Sequence, residues 1–244
     1  HFSKDDLHQA CERSLRNLGT DYIDLYQLHW ANWDIPLEEP LQALEALRSE
    51  GKIRFYGVSN FGVQDLTQAL DRGYIVSSDQ LAYNLLFRAI EYEILPLCQK
   101  ESVSVLCYSP LMQGLLAGKY PTRQDIPLKR SRTRHFSARS NPEIRHGEEG
   151  SEEETYDAFE KLTALAADLD IPMAEMSLAW LIAQPGVTSV IAGARRPSHA
   201  RTSAQAAGVK LSPEILEQLD QITAPLKQKL GSNADMWQGV SRIR

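Results

Sequence analysis

Asp21-Tyr22-Ile23-Asp24-Leu25-Tyr26-Gln27-Leu28-His29-Trp30 is the stretch on which the fold turns. It reads as a buried strand that delivers a histidine to its C-terminal end. One helix stands before it, over residues 3–18. Ser3 caps that helix with Asp6 three residues on, Phe2 and Leu7 occupy the two positions of a hydrophobic staple, and Gly19 ends it.

Downstream the strand-then-helix pattern repeats. Leu37, Leu41, Leu44 and Leu47 mark a helix that stops at Gly51, and Ile53 to Ser59 is the next strand. A helix over about 63–72 leads to Gly73, and a short strand lies within Ile75 to Ala82. Ile90 to Lys100 is helical and Val103 to Tyr108 is a strand. Residues 111–150 are irregular and rich in Arg, Lys, Ser and Pro; such a length predicts a functional or partly disordered loop. Ser151 with Glu154 offers a second capping-box pattern before a helix carrying Tyr156, Phe159 and Leu162. Pro172 separates that helix from one carrying Met176 and Trp180. Pro185-Gly186 then leads into a strand, Thr188 to Ala192, followed by helices at about 198–207 and 212–223, the last with Ser212 as cap and Pro213 at its first position.

Strands alternating with helices predict a parallel sheet with right-handed crossovers. Five strands are expected, whereas a closed barrel of this kind has eight. The fold class is therefore α/β, an incomplete TIM-type (β/α) barrel. One domain spans 1–223, including the long loop 111–150, and a tail carrying Trp237 spans 224–244.

Composition narrows the function classes. The 244 residues are 43% hydrophobic and 24% charged, ordinary for a globular domain. A net charge of −6 argues against a nucleic-acid partner, and no apolar run approaches a membrane span. Cys11, Cys98 and Cys107 are odd in number and far apart, as expected for reduced packing residues in the cytoplasm rather than a disulfide framework or metal site.

Five groups fall at the C-terminal ends of consecutive strands, where a parallel barrel builds its site. His29 could donate a hydrogen bond to a substrate carbonyl, or simply bond a loop backbone. Ser59-Asn60 could hold a carboxamide, or cap the next helix. Gln80 could join them or bond a loop. Tyr108 could stack on a flat heteroaromatic ring or be a rim aromatic. Gly193-Ala194-Arg195-Arg196, before a helix, could receive a phosphate or be a basic surface turn. Singly, each has an ordinary structural explanation; their shared location is the informative observation.

These residues resemble the aldo-keto reductase family. Asp21 to Trp30 is similar to its strand bearing the active-site histidine. Gly51-Lys52-Ile53-Arg54-Phe55-Tyr56-Gly57-Val58-Ser59-Asn60-Phe61 is similar to its most specific signature. Asp79 to Asn84, Tyr108-Ser109-Pro110-Leu111 and Gly114 to Tyr120 also match, and Ile191 to Arg195 resembles the cofactor motif of the bacterial Gly-Ala-Arg branch. The resemblance implies strands 4 to 8 of a (β/α)8 barrel that uses NADP(H) to reduce aldehyde or ketone carbonyls. It implies that Ser59, Asn60 and Gln80 hold the nicotinamide carboxamide and that Tyr108 stacks on the ring. Ser109, Leu111 and Lys119 would line the pyrophosphate, with Pro110 and Gly114 also among the cofactor-binding residues. Arg195, with Arg196 nearby, would meet the 2′-phosphate, Gly193 and Ala194 would be further cofactor-binding residues, and His29 would orient the carbonyl. Thr202 and Ser203 stand where the family usually has a Glu-Asn pair against the adenine. Of the family's Asp, Tyr, Lys and His tetrad, only the histidine has a counterpart. The missing units would amount to roughly 90 residues. The expectation is an NADP(H)-dependent reductase of weak activity, with a small carbonyl substrate, no metal, and a homo-oligomer covering the open side of the barrel. The alternative is a catalytically inactive NADP(H)-binding module, as in the ion-channel β-subunit branch, or a non-functional fragment.

Overall fold

Glycine turns and buried apolar stripes cut the chain into alternating elements. A computed structural model describes residues 3–139 and 141–244. Helix α1 (Lys4–Leu18) begins where Ser3 Oγ accepts the Asp6 amide and ends at Gly19, whose φ of 66° only glycine adopts freely. The Phe2 half of the predicted staple lies outside the described residues. There follow β1 (Ile23–Leu28), α2 (Glu38–Ser49), β2 (Ile53–Ser59), α3 (Val63–Asp71), β3 (Ser78–Ala82), α4 (Ile94–Lys100), β4 (Ser104–Tyr108), α5 (Glu152–Asp168), α6 (Met173–Ala183), β5 (Val187–Val190), α7 (Pro197–Ala206) and α8 (Pro213–Leu230).

The strands form one parallel sheet in chain order, β1-β2-β3-β4-β5. Register aligns Gln27 with Gly57, Ser59 with Gln80 and Ala82 with Tyr108. Parallel pairing sends every strand's C-terminal end to the same edge.

The two faces of the sheet differ. On β2, Tyr56 and Val58 lie under the helices, and the Tyr56 hydroxyl accepts the Ile75 amide. Phe55, immediately before Tyr56 in the period-two alternation, points the other way and is 59% exposed. The same alternation recurs on β4, where Val105 and Cys107 are buried but Ser104, Leu106 and Tyr108 only half so. Ile191, just past β5, is 44% exposed. The helix-side face is a closed core, and the lumen-side face is open.

Three segments depart from the sequence-based expectation. Ser151 makes no side-chain cap; its amide donates to the His135 carbonyl and its own carbonyl accepts the Thr155 hydroxyl. The long loop between β4 and α5 is tied down by buried polar groups: Asn141 donates to the carbonyls of Leu128 and Ser131, both at 2.8 Å. His135 Nε2 donates to the Leu86 carbonyl at 2.8 Å, so its Nδ1 accepts from the Thr133 hydroxyl at 2.9 Å. Helix α8 runs through Pro225 to Leu230, past the expected end near residue 223, because Leu226 and Leu230 still bury side chains.

After α8 the chain folds back. Buried Asp235 accepts from Arg242 Nε at 2.6 Å and Nη2 at 3.1 Å. The Arg244 carbonyl accepts the Asp65 amide at 3.1 Å, in the first turn of α3. It fits there because Gly62 carries no Cβ; one would overlap the Arg244 carbonyl.

Candidate active site

The sheet edge gathers the predicted residues into one hydrogen-bonded chain. Asn60 ends β2 at φ 59°, a left-handed conformation that asparagine tolerates better than most residues, and its amide donates to the Gln80 carbonyl at 3.0 Å. The Ser59 hydroxyl donates to the same carbonyl at 2.8 Å. Asn60 Nδ2 donates to Ser59 Oγ at 3.0 Å and to the His29 carbonyl at 3.2 Å. The Tyr108 hydroxyl donates to Asn60 Oδ1 at 2.9 Å. Gln80 Nε2 donates to Gln27 Oε1 at 3.0 Å, and Gln27 Nε2 in turn donates to the Val58 carbonyl at 3.1 Å. Burial, reinforced by the Asp235 carboxylate, pushes the Tyr108 phenol well above its ordinary range, so it stays neutral and donates.

Several simpler explanations fail against this geometry. Helix α3 starts at Gly62 without a side-chain cap, so Ser59 and Asn60 are not capping residues. Gln80 bonds another inward-facing glutamine rather than a loop. The His29 imidazole is exposed and makes no hydrogen bond among the described residues; Trp30 meets it edge-on at 6.5 Å.

The segment after β4 is strained. Ser109, Met112 and Gln113 all have positive φ, with Gly114 at 101°, while Leu111 sits at φ −106° and ψ 25°. A right-handed residue followed by a left-handed one turns successive amide groups toward a common anion. Asn84 braces the segment, donating to the Ser109 carbonyl at 3.0 Å. Pro110 is buried and Leu111 half-buried, while Lys119 is exposed and has no ion-pair partner among the described residues.

Gly193 to Arg196 follow β5 beside the end of β4, where the Ile191 amide donates to the Cys107 carbonyl at 2.9 Å. All four are exposed, and neither arginine has a carboxylate partner among the described residues. A Cβ at Gly193 would meet nothing within 4 Å, so the fold's own packing does not require a glycine there.

Against Trp30, the residue after His29, opens a cavity of about 650 Å³. Its walls come from Trp30, the 132–145 stretch and the C-terminal segment. Three contributors escaped the sequence reading. Gln27 was detectable, two residues before His29 on the same strand face. Asn84 sat inside a quoted motif with no role given. Arg242 lies far from any strand and carried no signal.

Known proteins match this arrangement. Residues 1–224 fit the Aldo/keto reductase family model, and the chain belongs to that family. It is 32% identical over 215 residues to the NADH-specific methylglyoxal reductase of Escherichia coli (strain K12), covering 87% of this chain and 62% of that protein. It is 34% identical over 228 residues to an uncharacterized oxidoreductase of Bacillus subtilis (strain 168), covering 93% and 68%. Among solved structures, an aldo-keto reductase from Klebsiella pneumoniae in complex with NADPH superposes with a TM-score of 0.67 at 36% identity, over 91% of this chain and 66% of that one. A glycerol dehydrogenase from Gluconobacter oxydans superposes at 0.76 with 29% identity, over 92% and 65%. The chain thus spans between 62% and 68% of the length of these proteins. The open lumen face is where a complete barrel has further strands.

Proposed function

We propose that this chain binds NADP(H) and reduces a small aldehyde or ketone at His29, with weak activity. The carrying observation is the hydrogen-bonded chain Gln27–Gln80, Ser59–Asn60 and Asn60–Tyr108, anchored to the His29 carbonyl. The residues fit a nicotinamide cofactor. After their mutual bonds, Gln80 Oε1, one Gln80 Nε2 hydrogen and a lone pair of Asn60 Oδ1 are free to match a carboxamide. The half-buried Tyr108 ring offers a face for stacking. In the turn after β4 the Met112 and Gly114 amides already donate to the Ser109 and Leu111 carbonyls, which leaves the Leu111 amide for the pyrophosphate, and Arg195 with Arg196 meets the 2′-phosphate.

When bound, NADPH supplies the hydride. The imidazole of His29 donates a hydrogen bond to the carbonyl oxygen, withdrawing charge from it as the alkoxide develops, and as imidazolium it can release a proton to that oxygen. The family's Asp, Tyr and Lys have no counterpart by motif in residues 1–244, which is why the proposed rate is low. The test is NADPH oxidation with an activated aldehyde, wild type against His29→Ala. Equal rates would remove His29 from the chemistry. Binding of NADPH without any turnover would favour the second reading, a cofactor-binding module; the self-sufficient carboxamide network beside an unassisted His29 supports it.

A second copy of the chain is proposed to cover the lumen face, where Phe55 and Ile191 are exposed. Light scattering at low micromolar concentration should give a mass above 27.4 kDa; a clean monomer would exclude that partner.

A further inference from the structure

The cavity lined by Trp30 has an uneven charge. Arg132, Arg145 and Arg242 line it with a single carboxylate, Glu143, and two flat apolar walls, Trp30 and Trp237. Arg242 is held in place on two sides. Asp235 grips it through Nε and Nη2, and its guanidinium lies over the Trp30 ring, 4.3 Å from the centroid. That leaves Nη1 without a partner among the described residues. Arg132 meets Glu143 only at 3.3 Å, and its Nε is buried with no hydrogen-bond partner. Buried donors are ordinarily paired, so an orphan marks a place for an acceptor. Arg145 is exposed with no ion-pair partner among the described residues. Fixed guanidinium forks with free N–H groups match a planar oxyanion.

We propose that the carbonyl substrate carries an anionic group, and that Arg132, Arg145 and Arg242 hold it while Trp30 and Trp237 flank the apolar body between anion and carbonyl. Trp30 joins the two places, since it lines the cavity and its ring lies 6.5 Å from the His29 imidazole; the substrate would set its carbonyl at His29 and its oxyanion among the arginines. This inference rests on the reductase reading only for the position of the carbonyl.

Calorimetric titration of the purified chain tests it. The probes are 4-carboxybenzaldehyde, its uncharged methyl ester and 4-formylphenyl phosphate. The carboxylate should bind at least tenfold more tightly than the ester. In the double variant Arg132→Gln, Arg145→Gln that preference should fall within twofold, with the ester's Kd unchanged and the circular dichroism spectrum retained; Arg242 is left intact because buried Asp235 needs it. Phosphate binding as tight as carboxylate, or tighter, supports the oxyanion site and assigns it to phosphorylated substrates. Three results would overturn the proposal: equal binding of acid and ester, a preference that survives the double variant, or displacement of the carboxylate by NADP+. The two readings fail differently. Carboxylate-selective binding without NADPH oxidation removes the reductase and leaves the anion site. NADPH oxidation at equal rates and affinities with acid and ester does the reverse.

Discussion

The Tyr108 hydroxyl donates to Asn60 Oδ1 at 2.9 Å, linking the end of β4 to the end of β2 across β3. That bond fixes the amide orientation of Asn60, whose Nδ2 hydrogens are thereby aimed at Ser59 and at the His29 carbonyl. Tyr108→Phe keeps the ring and removes the bond. A hydrogen bond of this kind contributes about 1 kcal/mol. NADPH affinity should therefore fall by about fivefold in a fluorescence titration, with the fold intact. Unchanged affinity would show that Asn60 needs no such brace.

Two buried groups titrate against each other. Burial pushes the Asp79 carboxyl well above the usual carboxylate range, so the native state keeps a proton that the unfolded chain releases above about 4. Its contribution to stability therefore falls as pH rises through that point. Burial lowers His135 from 6.5 to about 4, so the unfolded chain binds a proton that the native state refuses, and that contribution rises between pH 4 and 6.5. The two slopes oppose each other. Asp79→Asn removes the falling one. Just above pH 4 the unfolding free energy of the variant should therefore climb more steeply with pH than that of wild type. Urea melts at three pH values check this; parallel profiles would refute it.

Helix α8 is fastened to the segment after β3 by charge. Arg88 and Glu91 form a double hydrogen bond at 2.7 and 2.9 Å, both largely buried, and Lys227 reaches Glu91 at 2.7 Å from a more exposed position. Tyr83 adds a further donor to Glu91. Glu91→Gln removes the double hydrogen bond from Arg88, which keeps Asp220 as its only carboxylate partner, at 3.0 Å, among the described residues, and should cost about 3 kcal/mol in a denaturant melt. Lys227→Met should cost about 1 kcal/mol or less. Equal losses would mean that burial does not decide the difference.

Gly62 makes room for the C-terminal segment. Gly62→Ala should push Arg244 off the start of α3 and free the strap that positions Arg242 over Trp30. Trypsin should then cut after Arg242 several-fold faster than in wild type, while the strands keep their circular dichroism. Unchanged cleavage would place the anchor elsewhere, at the Asp235–Arg242 pair.

The strand side of this molecule was legible because each strand of a parallel sheet is a local signal. Ile53 to Ser59 announces itself by composition, and its terminal Ser59-Asn60 falls where a strand must end. The spacing of the strands is therefore enough to bring Ser59, Asn60, Gln80 and Tyr108 to one edge of the sheet. The cavity side was not legible. Asn141 and His135 order the 111–150 stretch through bonds to main-chain carbonyls, which leave no periodicity in the sequence. The helix expected over about 212–223 continues through Pro225, because the apolar contacts of Leu226 and Leu230 outweigh one missing amide. Arg242 acquires meaning only through Asp235, seven positions away and buried, and through Trp30 at the opposite end of the chain.

The proposed cofactor contacts sit mostly at strand ends, whereas the cavity walls are drawn from Trp30, residues 132–145 and the last few residues. Mutations in those walls need not disturb the ladder that aligns Ser59, Gln80 and Tyr108. Such a protein can change what it recognises while keeping its redox partner, and a lineage built this way would diversify at its loops and its C-terminus long before its strands record any difference.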